Sequence, residues 1–304
     1  MAGMGGGGSP ARSPETGWSR PWTQTPRHTR KSPEARRDGY RAHVAADPET
    51  GIITDEQLTK AAGHDNSDPA VAEQFLAAEA GGPGASGSDS PDDPAGGQSL
   101  DAAGGQDSDG DRDHARGGGQ LAWYGDSAYG TGDLRDAIGK AGHEAVIKPK
   151  PLQPPVAGGF TLDDFTVSPQ DRTVTCPNGV TRPITPSRNV TFGAACRHCP
   201  LRTRCTKSKT GRTLILHEHD GLLRAARAAW AASTGLREDY MKHRPNMERT
   251  VAQVATSRGR RLKLRYRGAA KNNAWLKRRT AAVNLRNMLG RGLARRDGAW
   301  VLAT

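Results

Sequence analysis

The spacing of apolar and polar residues changes several times along the chain. Residues 40–58, YRAHVAADPETGIITDEQL, alternate apolar and polar on two arms around Asp-Pro-Glu-Thr-Gly. That pattern predicts a β-hairpin, with Gly51 at the turn position that needs positive φ. Residues 59–65 read as a loop, and 69–80 switch to helical spacing with Val71, Phe75 and Leu76 on one face. At 121–124, Leu-Ala-Trp-Tyr is a short strand stopped by Gly125 and Asp126. DLRDAIGKAG then predicts a helix ended by Gly142. A second short strand, AVIK at 145–148, closes at Pro149 and Pro151. Short β signals fill 160–216. Three helical runs follow: 218–232, with Leu222, Leu223, Ala226 and Trp230 in register; one that opens near Thr234 and bends or restarts at Pro245; and 272–293, with Trp275, Leu276, Val283, Leu285, Met288 and Leu289.

Two stretches carry no period. Residues 1–38 are basic and rich in Gly, Pro and Ser, with Trp18 and Trp22 as the only large apolar anchors. Residues 81–119 hold eight Asp and almost nothing apolar. Neither can bury enough surface to fold, so both are expected to be disordered, the second as an insertion in a surface loop. The composition agrees: 34% hydrophobic and 5% aromatic, with 38 Gly and 20 Pro in 304 residues, predicts a modest core. The units are then 1–38, 39–80, the acidic linker 81–119, 120–159, the cysteine-rich β insertion 160–216, and 217–304. No apolar run nears the ~20 residues a membrane span needs, and the N-terminus has no apolar h-region, so a cytoplasmic protein with no membrane partner is expected.

Charge narrows the partner. Residues 240–304 hold 17 Lys and Arg against Glu248 and Asp297, within a chain of net charge +12. A basic block on a near-neutral body is the footprint of nucleic acid, because clustered cations release phosphate counterions. Within it Leu262, Leu264 and Tyr266 alternate with Arg258, Arg260, Arg261, Lys263, Arg265 and Arg267, and the last helix adds Lys271, Lys277, Arg278, Arg279 and Arg286. Period-two alternation predicts an extended segment with cations on one side.

Asp126 stands where a strand ends and a helix is about to begin, the place where α/β sheets put charged chemistry; the plainer reading is a turn or a helix cap. Glu248 has Val251 and Ala255 at i+3 and i+7, which predicts a carboxylate at the edge of the core; the plainer reading is an ion-pair partner among cations. Together the two acids can share divalent cations. Cys176, Cys196, Cys199 and Cys205, spaced C-x19-C-x2-C-x5-C, suit one tetrahedral Zn²⁺, with His198 and His217 as substitute ligands, or else remain four reduced thiols.

GDSAYGTGDL, AVIKPKP, the cysteine module, HRPNMERTVAQV and LKRRTAAVNLRNML resemble, in that order, the C-terminal part of DDE transposases of bacterial insertion sequences. YRAHVAADPETGIIT resembles the hairpin of the same domain. The resemblance covers residues 40–80 and 121–293. It implies an α/β fold, an RNase H-like mixed sheet flanked by helices and interrupted by the small cysteine-rich β insertion. It implies three carboxylates (Asp, Asp, Glu) holding two Mg²⁺ or Mn²⁺, with Asp126 as the second Asp and Glu248 as the Glu. DNA at element ends and at the target is the implied substrate, nicked first and then joined through a 3′-hydroxyl; Arg244 and the cations above would contact it. A homodimer is left open. The family's first Asp lies on a strand ahead of the hairpin, where this chain offers only Asp38 and Asp47, neither on such a strand. The family's Tyr–Arg–Glu–Lys pattern is partly met: Arg244 is four before Glu248, Tyr240 is one position off, and Ala255 takes the Lys place. The resemblance thus implies a copy truncated at its N-terminus. Enzymatic activity stays open against two rivals, a remnant that binds DNA without cutting and a zinc-module DNA-binding regulator.

Overall fold

The computed structural model describes residues 28–30, 36–80, 119–257 and 259–302. Most of the two stretches expected to be disordered, and Arg258, lie outside these. Within the first stretch, β1 (His28–Arg30) and β2 (Arg36–Asp38) pair antiparallel.

β3 (Tyr40–Ala46) and β4 (Ile53–Lys60) form the predicted hairpin, with a bulge at Ala45/Ala46 and Gly51 at φ 69°. Asp47 closes the turn by accepting the Glu49 and Thr50 N–H groups. α1 (Asp68–Ala80) follows, burying Val71 and Leu76. β5 (Ala122–Gly125) leads through a turn to α2 (Gly132–Lys140), which is capped by the Thr131 hydroxyl and stopped at Gly142, φ 78°. β6 (Glu144–Ile147) returns parallel to β5.

β7 (Thr166–Ser168), β8 (Thr173–Thr175) and β9 (Thr181–Pro183) make a three-stranded sheet; β10 (Asn189–Thr191) pairs with β11 (Thr213–Ile215), and α3 (Arg202–Cys205) lies between those two. This module owns its core of Phe165, Val174, Val190, Phe192, Leu214 and Leu216, as the sequence predicts for 160–216. α4 (Asp220–Ala232) holds the module in place. Arg224 donates to the Leu162 and Phe165 carbonyls, and Arg227 grips Asp163 with two 2.6 Å bonds.

α5 (Thr234–Ala255) runs unbroken through Pro245, so the run does not restart there, and it buries Tyr240, His243, Thr250 and Val254. After β12 (Thr256–Ser257) and β13 (Arg260–Arg261), α6 (Ala269–Gly290) packs along β4. Its asparagines satisfy that strand's free edge. Asn273 accepts the Leu58 N–H, Asn284 exchanges both bonds with Ile53, and Asn287 donates to the Gly51 carbonyl. An edge strand covered in this way offers no template for further pairing. β14 (Ala294–Arg296) and β15 (Ala299–Val301) close the described chain as a hairpin that the sequence reading missed, although Asp297-Gly298 is a hairpin-turn dipeptide.

The whole is a mixed α/β fold of helices and small sheets. The single mixed sheet expected from the resemblance is not formed among the described residues: β3–β4 and β5–β6 are separate pairs. Each has its own core. Ile53, Leu58, Val254, Leu276 and Val283 pack under the hairpin, and Leu76, Leu134, Ile138 and Ile147 under the parallel pair. α5 touches both and joins them.

Candidate metal and DNA site

Asp126 follows β5 directly and is exposed. Its Oδ1 accepts the Ala128 N–H at 2.8 Å, and its carbonyl accepts the Tyr129 N–H, so one oxygen shapes the turn while the carboxylate stays open to solvent. The turn is tight. A Cβ at Gly125 would lie 2.9 Å from the Tyr129 Cβ, which only glycine avoids. Burial, then the charges of Asp68 and Asp126, push the Tyr129 hydroxyl up to about 12, keeping it a neutral donor beside the turn. Asp68 was not singled out in the sequence. Buried His43, with Nδ1 3.3 Å from Asp68 Oδ1, and then Arg41 hold its carboxyl below the usual range.

Tyr124, two positions before Asp126, ties the strand to α5. Its hydroxyl donates to Asp239 Oδ2 at 2.7 Å, the other Asp239 oxygen lies 3.4 Å from His243 Nε2, and the Tyr124 and His243 rings meet tilted, with centroids 4.9 Å apart. Burial first, then Asp239, raises the Tyr124 hydroxyl to about 12, so it remains a donor. Glu248 lies further along the same helix, five positions past His243, or roughly 7.5 Å of helix rise.

Glu248 does not border the core as its spacing predicts. Its side chain is 64% exposed and bonded to Arg244 Nε at 2.8 Å, while Val251 is 49% exposed. The apolar residues misled because α5 buries His243 and Thr250 in polar contacts instead. Arg244, expected on DNA, is held by Glu248 and by the Tyr240 hydroxyl at 3.4 Å. Among the described residues no three His, Cys, Asp or Glu side chains come together closely enough to hold an ion.

Arg260, Arg261, Lys263, Arg265, Arg267, Lys271, Lys277 and Arg278 are exposed. Fully buried Asn272 pins the basic loop to α6 through the Tyr266 N–H and carbonyl and the Gly268 carbonyl. The alternation in this loop does not bury its apolar side: Leu262 is half-buried, but Leu264 and Tyr266 are 43% and 44% exposed. Arg279 is a correction. Its guanidinium caps α5 through the Gln253, Val254 and Thr256 carbonyls and is not free for phosphate.

All four cysteines line one cavity of about 20 Å³, walled by Phe160, Phe165 and Phe192. Burial pushes the Cys205 thiol up, Arg212 pulls it back, and the other three sulfurs add to the rise. Arg212 also donates its backbone N–H to Cys196 Sγ at 3.5 Å and its side chain to the Cys205 carbonyl, leaving its buried Nε without a partner. His198 is exposed and away from the cavity wall, and His217 stands beside Asp133.

No helix among the described residues is long and apolar enough to cross a membrane. No curated protein and no solved structure matches the chain. Residues 175–289 match the transposase DDE domain family. That segment takes in the four cysteines, α4, the Glu248 helix, the basic loop and most of α6, while Asp126 lies ahead of it. Over those residues, somewhat more than a third of the chain, it is similar to a transposase DDE domain.

Proposed function

We propose that this chain carries Asp126 and Glu248 as two of the three acids of a two-metal strand-cleavage and joining site for DNA transposition, on an RNase H-like domain formed by 39–80, 120–159 and 217–304, with the first acid unassigned and cleavage by this chain alone correspondingly weak. The observation that carries the reading is the Tyr124–Asp239–His243 clasp, which fastens the strand before Asp126 to the helix that carries Glu248. Carboxylate oxygens suit Mg²⁺ or Mn²⁺. Such a pair of ions, when bound, activates the attacking oxygen and stabilises the leaving one. The chain's own part is positional. Asp126 offers the oxygen that the Ala128 N–H leaves free, Glu248 exchanges Arg244 for cation, and the exposed cations from Arg260 to Arg278 neutralise phosphates on either side of the scissile bond.

A second reading, a copy that binds DNA without cutting, is favoured by one feature. The Arg244–Glu248 pair on the outer face of α5 satisfies the acid without any metal. Both readings require DNA binding. Log–log salt titrations of duplex affinity test it: replacing Arg260, Arg261 and Lys263 by Ala should flatten the slope by roughly two to three units, since each phosphate contact contributes about 0.9. An unchanged slope would show that these cations only face solvent.

For the thiols we propose a separate, structural ion, although the four sulfurs share the cavity without standing close enough to hold one as placed. The cavity they share, the N–H to sulfur bond and the nearby Arg212 guanidinium all favour a zinc tetrathiolate over four reduced thiols, with the sulfurs moving inward to roughly 2.3 Å from the metal.

A further inference from the structure

The hairpin of β14 and β15 projects from a fixed root. α6 ends where the Leu293 N–H reaches the Met288 carbonyl and the Gly292 N–H the Leu289 carbonyl, with Gly292 at φ 81°. Arg291, just before, clamps the Glu49 and Thr50 carbonyls at the β3–β4 turn. The hairpin therefore starts from a point anchored to the main body. Its own turn is Asp297-Gly298, both at positive φ (50° and 83°), the geometry that closes a two-residue hairpin without splaying the strands.

What this hairpin presents is unusual for a solvent-facing ribbon. Arg295 pairs with Trp300 across the ladder, so the two side chains share a face. Trp300 is 67% exposed and Arg295 and Arg296 are exposed; Asp297, in the turn, is the only acid that follows Glu248 in the chain. An indole left in water beside a guanidinium matches a nucleotide: a flat π-face for a base, a cation for the adjoining phosphate. The same cationic excess makes an acidic surface the complementary partner.

We propose that the β14–β15 hairpin is a second DNA contact, in which Trp300 stacks on an unpaired base and Arg295 and Arg296 hold the flanking phosphates. This rests on the reading that the chain binds DNA, and adds that it prefers DNA with a frayed or single-stranded end. Because each base has a π-face, the preference is for unpaired structure and not for sequence.

Anisotropy titrations of the full chain against a labelled blunt duplex, and against the same duplex with a single-stranded tail, test it. The wild type should favour the tailed DNA. Trp300→Leu, which keeps apolar bulk but removes the π-face, should lose that preference by on the order of tenfold with blunt-duplex affinity unchanged, and Trp300→Phe should retain most of it. Arg295→Ala should flatten the salt slope by about 0.7 on the single-stranded part. If Trp300→Leu binds both DNAs like the wild type, this inference fails while DNA binding stands. If the wild type binds neither DNA, both fail. A Trp300→Leu protein that turns from dimer to monomer in sedimentation, with DNA affinity unaltered, would overturn it in favour of a contact between copies.

Discussion

Stripping the proposed zinc from the purified chain is expected to cause the largest loss of stability of any single treatment. The module from β7 to β11 is built from strands of three residues, too short to hold register unaided. Its core is one small cluster, and Cys196 and Cys205 are buried members of it. In isolated zinc-finger peptides, metal binding is worth about 10–16 kcal/mol at neutral pH. Here the Phe165–Phe192 contact and the Arg224 and Arg227 clamps carry part of the load, so several kcal/mol is the expected share. The thiols must lose protons to bind, and burial holds the Cys205 proton on, so affinity should fall as the solution is acidified. Metal analysis should find one zinc per chain, and chelator or Cys199→Ser should lower the melting temperature together with the module's near-ultraviolet signal. Metal-free protein with an unchanged melt under chelator would return the cysteines to simple core thiols.

The second large effect is on chemistry. The two proposed carboxylates, Asp126 and Glu248, leave a divalent site one ligand short of the three that the resemblance implies. A lost outer partner already costs about 10–100-fold in affinity or activity, and a missing direct ligand costs more. The chain is therefore expected to nick supercoiled plasmid in Mg²⁺ at no more than background, with Asp126→Ala no slower. Robust nicking abolished by Asp126→Ala would mean that a third acid is in place. Asp68 would be the first to test, since it is held ionised beside the same Tyr129.

The elements were legible where one physical rule dominated. Asp47 to Gly51 reads as a turn because its residues demand it, and the hairpin, Gly142 and the separate cysteine module followed from local chemistry. Position was less legible where burial is polar. Nothing in the spacing of Asn273, Asn284 and Asn287 says that they face the open edge of β4, and the buried His243 and Thr250 turned α5 so that Val251 and Glu248 face outward. Arg279 looked like one more surface cation because carbonyl capping leaves no mark in composition. The cysteines line one cavity, which the uneven x5 arm did not announce. Tyr124 read only as strand-forming, and its tie to Asp239, far along the chain, was invisible to any local pattern.

Asp126 and Glu248 are proposed to share divalent cations across the Tyr124 clasp. Anomalous diffraction from crystals of the full chain grown in Mn²⁺ tests it most directly. A manganese peak is expected between the two carboxylates, with the Arg244 guanidinium displaced from Glu248, and loss of that peak in Asp126→Ala. Manganese absent from that position, with the Arg244–Glu248 bond intact at its present 2.8 Å, would contradict it.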